Sequence, residues 1–156
     1  MESSIRRAQA TDIPAIVQLS ELKRVQYETY QPLFWRKAVD SEAKQTLFLQ
    51  QVLSREQAIA LVHEQNGQVD GYIIAALVPS PPVYTAGLTC FVDDYWVANG
   101  DWSGVGAALL ASAAAIARER GATQCNVVSG HLDEAKRAML SAVGHTIASE
   151  WWVKPL

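Results

Sequence analysis

Two adjacent carboxylates, Asp93 and Asp94, stand inside an otherwise apolar stretch, Leu88–Val97, which reads LTCFVDDYWV. A carboxylate among β-branched and aromatic residues is costly unless it is paired. Burial also raises its pKa toward neutrality, which suits a general base. In regular alternation the two side chains point to opposite faces of a strand, so they do not form a dyad. Asp94 is the first choice for a base and Asp93 the second; the other role open to them is to cap a bulge or pair with an arginine. A polar turn follows at residues 98–103, and Gly104-Val105-Gly106 then opens an Ala-rich run. Strand, glycine turn and helix together aim several N–H groups at one spot, with the helix dipole behind them. Such a spot favours a phosphate. The plainer reading is a strand-to-helix turn in which Asp101 is an N-cap and the glycines permit close packing.

These residues need a frame, and the pattern supplies one. Leu88–Val97 is short and rich in β-branched and aromatic residues, so it reads as a central strand. Residues 104–120 read as the helix after it, with Gly121 just past its end. Upstream, residues 5–8 form a strand and residues 12–27 a helix with Pro14 in its first turn. Residues 33–53 form a second helical region that Asp40 interrupts or recaps. Residues 58–64 and about 70–78 are strands joined by an Asn66-Gly67 hairpin turn, and residues 79–82 are a proline loop. Downstream come a strand at 123–129, a helix at 133–143 and a closing strand at 146–153. Hairpins mixed with crossovers predict the α/β class, with a mixed sheet flanked by helices. Tyr27, Tyr30, Phe34 and Trp35 gather at the first helix junction. They either plug the core there or wall a substrate pocket.

The chain has 156 residues, 49% of them apolar, which suits one domain over 1–156 with a sizeable core. A net charge of −3 gives no general attraction to nucleic acid or to an anionic membrane. Cys90 and Cys125 both fall in strands and read as buried free thiols. Neither they nor His63, His131 and His145 have metal-ligand spacing. The N-terminal residues carry no apolar signal segment, and the longest apolar run, 104–117, is shorter than the ~18 residues of a membrane span. The expectation is a cytoplasmic protein. Trp151-Trp152 in the tail suits a homodimer contact or a cover over the sheet.

With these residues in view, the sequence resembles the GNAT family of acyl-CoA-dependent N-acyltransferases. The family motif is Arg/Gln-x-x-Gly-x-Gly/Ala. The matching stretch here is Asp101-Trp102-Ser103-Gly104-Val105-Gly106, followed by Ala107 and Leu109-Leu110, with Asp in the first position. The resemblance implies that Trp102, Ser103, Gly104, Val105, Gly106 and Ala107 hold the diphosphate of acetyl-CoA or another acyl-CoA. It implies that the backbone of Tyr95, Trp96 and Val97 binds the thioester and the pantetheine arm, which runs between Leu88–Val97 and the 123–129 strand. Asp94 would take the proton of a primary amine on a small molecule or peptide, which attacks directly in a ternary complex without a metal. Tyr27, Tyr30 and Trp35 would lie against that amine. The tail also resembles the family. Aligned on Gly144, Asp133 stands at the usual Asn, Leu140 at the usual Tyr and His145 at the usual Phe. That Tyr often protonates the departing thiolate, and Leu140 cannot. Either another group, such as His131 or His145, protonates the thiolate, or water does, or the scaffold is a non-catalytic acyl-CoA-binding module or sensor. A dinucleotide-binding reading fails, because Leu109 stands where a third glycine is needed. The transferase reading requires two things: amides of 103–106 that are free to meet a diphosphate, and a gap between the two strands.

Overall fold

A computed structural model of the chain describes residues 2–156. The strands are β1 (Ser3–Arg7), β2 (Ile59–Gln65), β3 (Gln68–Pro79), β4 (Leu88–Val97) and β5 (Gln124–Val127). The helices are α1 (Ile13–Tyr30), α2 (Ser41–Leu53), α3 (Ala107–Glu119) and α4 (Glu134–Ala142). Among the described residues the strands form one sheet in the order β1-β2-β3-β4-β5. The β1–β2, β2–β3 and β3–β4 pairs are antiparallel and β4–β5 is parallel, so the sheet is mixed as its sequence pattern implied. The middle strand is β3; β4 lies one place from the edge.

The β2–β3 hairpin turns on Asn66 and Gly67, at φ 51° and 80°. Two consecutive positive φ values are what a two-residue turn with the correct twist requires, and Asn-Gly adopts them at least cost. Strand alternation then sets the layers. Gly71 faces α3 so closely that a Cβ there would lie 2.9 Å from Val105 Cγ1 and 3.0 Å from Leu109 Cδ1. Its neighbour Tyr72 points to the other face, where α1 and α2 pack, and its hydroxyl reaches Asp94. On α2 the buried positions are Ser41, Gln45, Leu49 and Val52, one helical stripe in which two polar residues sit beside two apolar ones.

Two irregularities in β4 matter for the site. Ile74 pairs with Asp94 and Ala75 with Val92, which leaves Asp93 without a partner: a β-bulge. On its other side β4 pairs with β5 only from Thr89 to Val92. Beyond Val92 the two strands part. Cys90 lies opposite Cys125 across them, and both thiols are free, Cys90 buried and Cys125 half-buried.

The structure corrects three expectations. Residues 33–40 are not helical. The amide of Leu33 is taken by the Gln31 side chain and that of Lys37 by Glu28, so local side-chain bonds displace the helix until Ser41. Residues 102–106 form a single wide π-type turn, so α3 proper begins at Ala107. The closing strand at 146–153 does not form. Among the described residues no main-chain hydrogen bond ties 146–156 to the sheet, and a strand without a partner has nothing to hold it.

Candidate active site

The bulge separates the two carboxylates. Asp93 is exposed at the bulged position, and Asp94 is buried on the α1–α2 face. Asp94 Oδ1 accepts hydrogen bonds from the Tyr72 hydroxyl at 2.7 Å and from Lys23 Nζ. Its Oδ2 accepts from Gln45 Nε2 at 3.0 Å and from the Ser20 hydroxyl at 3.5 Å. Burial pushes this carboxyl's pKa up, but the Lys23 charge and hydrogen bond, with the bond from Tyr72, outweigh it. The net shift is below the ordinary carboxylate range, opposite to the upward shift the sequence suggested. Burial and the Asp94 charge hold the Tyr72 hydroxyl well above its ordinary pKa, so it remains a donor. A second layer supports the first. Arg24 binds both Gln45 and Glu21, and Glu21 also accepts from Lys37 at 2.8 Å and Ser41 at 2.6 Å.

The turn before α3 is more self-sufficient than the sequence implied. Asp101 accepts from the amide of Gly104 at 3.0 Å and of Val105 at 3.2 Å. The amide of Gly106 binds the Asp101 carbonyl at 2.9 Å. That of Ala107 turns back to Trp102 and Gly104. Both glycines have internal reasons. A Cβ at Gly104 would meet the Asp101 carboxylate at 2.7 Å, and one at Gly106 would meet Trp102 Cε3 at 3.0 Å and Tyr95 Oη at 3.2 Å. In this conformation the amides of Gly104, Val105 and Gly106 are all bound within the turn, so the free amides that the transferase reading requires there are not present.

The parting between β4 and β5 is filled by a residue that was not among the sequence candidates, Lys136. It is 2% exposed; its Nζ donates to the Val128 carbonyl at 2.8 Å and lies 5.1 Å from the ring centres of Tyr95 and Trp102. Burial, helped by the charge of Lys23, pushes its pKa down to about 7, against the pull of Asp133 and Asp94. Helical spacing was the available signal. Lys136 shares the α4 stripe of Met139 and Leu140, all three of them buried. Asp133 caps that helix by accepting from the Lys136 amide at 3.4 Å.

The other candidates fall into place around these groups. Tyr95, Trp96, Val97 and Trp102 are buried, whereas Ser103 is exposed. The Tyr95 hydroxyl donates to the Gly106 carbonyl. Tyr27 is a core residue: its hydroxyl donates to Asp133 at 3.2 Å and accepts from the Gly130 amide at 3.1 Å. Trp35 packs edge-on against Tyr27 at 5.2 Å, and Trp96 does so at 6.3 Å. Tyr30 and Trp35 are half-buried, so of the three predicted wall residues only these two reach a surface. His131 is exposed, and His145 lies beyond α4 with Nδ1 buried and unbonded. Across β1–β3, Ser3 Oγ meets His63 Nε2 at 2.9 Å, and His63 Nδ1 meets Asp70. The order resembles nucleophile, base and orienting carboxylate. Yet in this conformation the amides of Gly104 and Val105 bordering that cavity are bound to Asp101, so they are not preorganised as oxyanion donors. Among the described residues no cluster of His, Cys, Asp and Glu could hold a metal, and no helix is long and apolar enough to cross a membrane.

No family model and no curated protein sequence matches the chain. Solved structures do. A "predicted acetyltransferase" from Clostridium acetobutylicum, crystallised with acetyl-CoA, superposes with a TM-score of 0.77 at 18% identity, over 99% of this chain and 96% of that one. A GCN5-related N-acetyltransferase from Ralstonia eutropha JMP134 gives 0.72 at 18% identity, over 99% of both chains. The aminoglycoside acetyltransferase AAC(6')-Iy, in complex with a CoA-linked bisubstrate analogue, gives 0.68 at 13% identity, over 100% of this chain and 99% of that one. Together with the bulged β4 parting from β5 beside the α3 N-terminus, these likenesses establish the architecture: the chain has the fold of the GCN5-related N-acetyltransferases.

Proposed function

We propose that this protein is an acyl-CoA-dependent N-acyltransferase, moving an acetyl group to a primary amine, whose own side chains close the cosubstrate slot in the resting state. One observation carries the reading: β4 is bulged at Asp93 and leaves β5 after Val92, beside the N-terminal end of α3. A bulge with no partner on the β5 side frees main-chain groups of residues 93–97 to face a thioester. The α3 dipole stands where a diphosphate would lie. That structures of this fold contain acetyl-CoA or a CoA-linked analogue supports the choice of cosubstrate.

Asp101 and Lys136 must then move. An N-cap bond is worth roughly 1 kcal/mol, against the roughly 8 kcal/mol of a micromolar ligand. Asp101 is at the surface, so its carboxylate can turn to water when the diphosphate takes its amides. A ligand of that affinity would be able to displace a cap of that strength. In the reaction the amine nitrogen bonds to the thioester carbon and the C–S bond breaks. The thiolate takes a proton from the Lys136 ammonium, the role that Leu140 cannot fill. The attacking nitrogen loses its proton to water ordered by Asp94, with Asp93 the alternative. Orientation and main-chain donors supply most of the gain. The acceptor enters from the α1–α2 face, past Tyr30 and Trp35, and is a small molecule or a peptide amine.

A second reading is a scaffold that binds acyl-CoA without transfer. Asp101 on the Gly104 and Val105 amides, with Leu140 in α4, favours it. Calorimetry with acetyl-CoA, run beside a thiol-release assay over an amine panel, separates the two. Amine-dependent thiol release supports transfer. Binding without release supports the second reading. No binding by the natural protein or by Asp101→Gln overturns both.

A further inference from the structure

Ser3, His63 and Asp70 come from three neighbouring strands and meet in one line of hydrogen bonds on the α3 face of the sheet. His63 stands opposite Ile5 on β1 and Gly71 on β3, and Ser3 is one diagonal step away, within reach of the ring. Asp70 arrives there through an irregularity. The β2–β3 register runs from His63–Gly71 to Glu64–Val69, which leaves Asp70 without a partner. In regular alternation Asp70 and its neighbour Gly71 would point to opposite faces; the bulge turns the carboxylate onto the face of His63. The direction of the bonds follows, because a carboxylate only accepts. His63 Nδ1–H donates to Asp70, so in the neutral ring Nε2 carries no proton and accepts from the Ser3 hydroxyl at 2.9 Å. His63 is 7% exposed, Asp70 is half-buried and Ser3 is open to solvent. A buried imidazole, oriented by a carboxylate and bonded to an exposed hydroxyl, is an arrangement that activates a serine.

The three residues line an open cleft of about 370 Å³, together with the apolar side chains of Ala98, Val105 and Ala108. That volume suits a small molecule. Asp101 borders the cleft as well, so two carboxylates face it and an anion is repelled. Asp101 also holds the Gly104 and Val105 amides, and this decides which reactions are within reach. Without preorganised donors for an oxyanion, the donor must bring a good leaving group. An aryl ester or a thioester meets that condition. The alkyl ester that forms on Ser3 does not, so water removes it slowly.

We propose that Ser3 is an acyl acceptor which, with His63 as base and Asp70 as orienting group, takes an acyl group from a small neutral aryl ester or thioester and retains it. Ser3 Oγ bonds to the acyl carbon, and its proton passes to His63 Nε2. The bond from that carbon to the phenolic oxygen or the sulfur breaks, and the leaving group departs with the proton from His63. The site uses neither Asp94 nor the parting of β4 from β5, so the inference stands without the transfer reading.

The probes are p-nitrophenyl acetate and the neutral thioester S-acetyl-N-acetylcysteamine, each added to the full chain. The readout is hydroxylamine-sensitive acetylation, located by peptide mass spectrometry. The expected result is an acetyl ester on Ser3 and, with the aryl ester, a burst of p-nitrophenolate that is absent from Ser3→Ala. Ser4, on the opposite face of β1 in the strand's alternation, is the internal control and stays unmodified. His63→Ala is expected to slow Ser3 acetylation by on the order of a hundredfold, and Asp70→Asn to slow it as well. Acetylation by both probes assigns both donors to the site; acetylation by one assigns that class alone. No ester on Ser3 with either probe overturns the inference. So does an ester that forms on Ser3 no faster than on Ser4, and so does an unchanged rate in folded His63→Ala. If His63→Ala fails to fold, His63→Gln replaces it, since its amide can still bond Ser3 but cannot take the proton.

Discussion

Asp101 is the residue on which two roles compete. As an N-cap it satisfies the Gly104 and Val105 amides; as a negative charge it would compete with the diphosphate of the proposed cosubstrate for them. Asp101→Gln removes the charge and weakens the cap. Urea unfolding is expected to show a loss of roughly 1 kcal/mol, while calorimetry shows acetyl-CoA binding at least fivefold tighter. Equal affinities would mean that the carboxylate does not compete. Lys136 offers a second test through its pKa. In the fold it titrates at about 7, below its value of ~10.4 in an unfolded chain. Between those values the unfolded chain binds more protons, so stability rises as pH goes from 7 toward 10 and levels off on either side. Lys136→Met is expected to flatten that rise, read as urea midpoints at pH 7, 8 and 9. The same residue predicts that kcat falls as pH rises through 7, because the acid form is lost.

At the scale of elements, the buried Asp94 network ties β4 to α1, α2 and β3 through Lys23, Ser20, Gln45 and Tyr72. Removing one partner of such a network leaves the rest buried and unpaired, so Asp94→Ala is expected to cost about 3–5 kcal/mol in chemical denaturation. The pH dependence has the opposite sign to that of Lys136. The folded pKa of Asp94 lies below the unfolded one, so its contribution is present above the unfolded value of ~3.9 and is lost as pH falls through the folded value. Asp94→Ala should therefore flatten the acid limb of stability. On the other face, Gly71→Ala drives a methyl into Val105 and Leu109, and overpacking of that kind is expected to cost roughly 1–3 kcal/mol. These elements also mark what was legible in the chain. Asn66-Gly67, the alternation in β2 and β3 and the Ala-rich α3 announce themselves through local chemistry, and so does Gly104-Val105-Gly106. The bulge at Asp93, the downward pull of Lys23 on Asp94 and the insertion of Lys136 between strands are products of tertiary contact. Lys23 and Asp94 lie 71 positions apart, and no window of sequence contains both.

At the scale of the whole molecule, the described sheet ends at β5. Residues 146–153 have the composition of a strand, and reading them as one went wrong because strand formation depends on a partner that this chain does not give itself. The folded unit is then five strands with helices on both faces, and a ligand that binds this unit alone stabilises all of it by mass action. For the micromolar affinity weighed above, about 100 µM acetyl-CoA is a hundredfold excess over Kd and adds about 2.7 kcal/mol. Unfolding entropy of about 2.1 cal/mol/K per residue converts that, for a chain of this length, into a rise of roughly 8 °C in Tm. Scanning calorimetry should therefore show an upward shift of about that size, and about half of it at a tenfold lower concentration. The shift reports binding and not transfer, so it is expected whether or not the thioester is consumed. A Tm that does not move with acetyl-CoA would mean that Asp101 keeps its amides and that Lys136 keeps the slot closed.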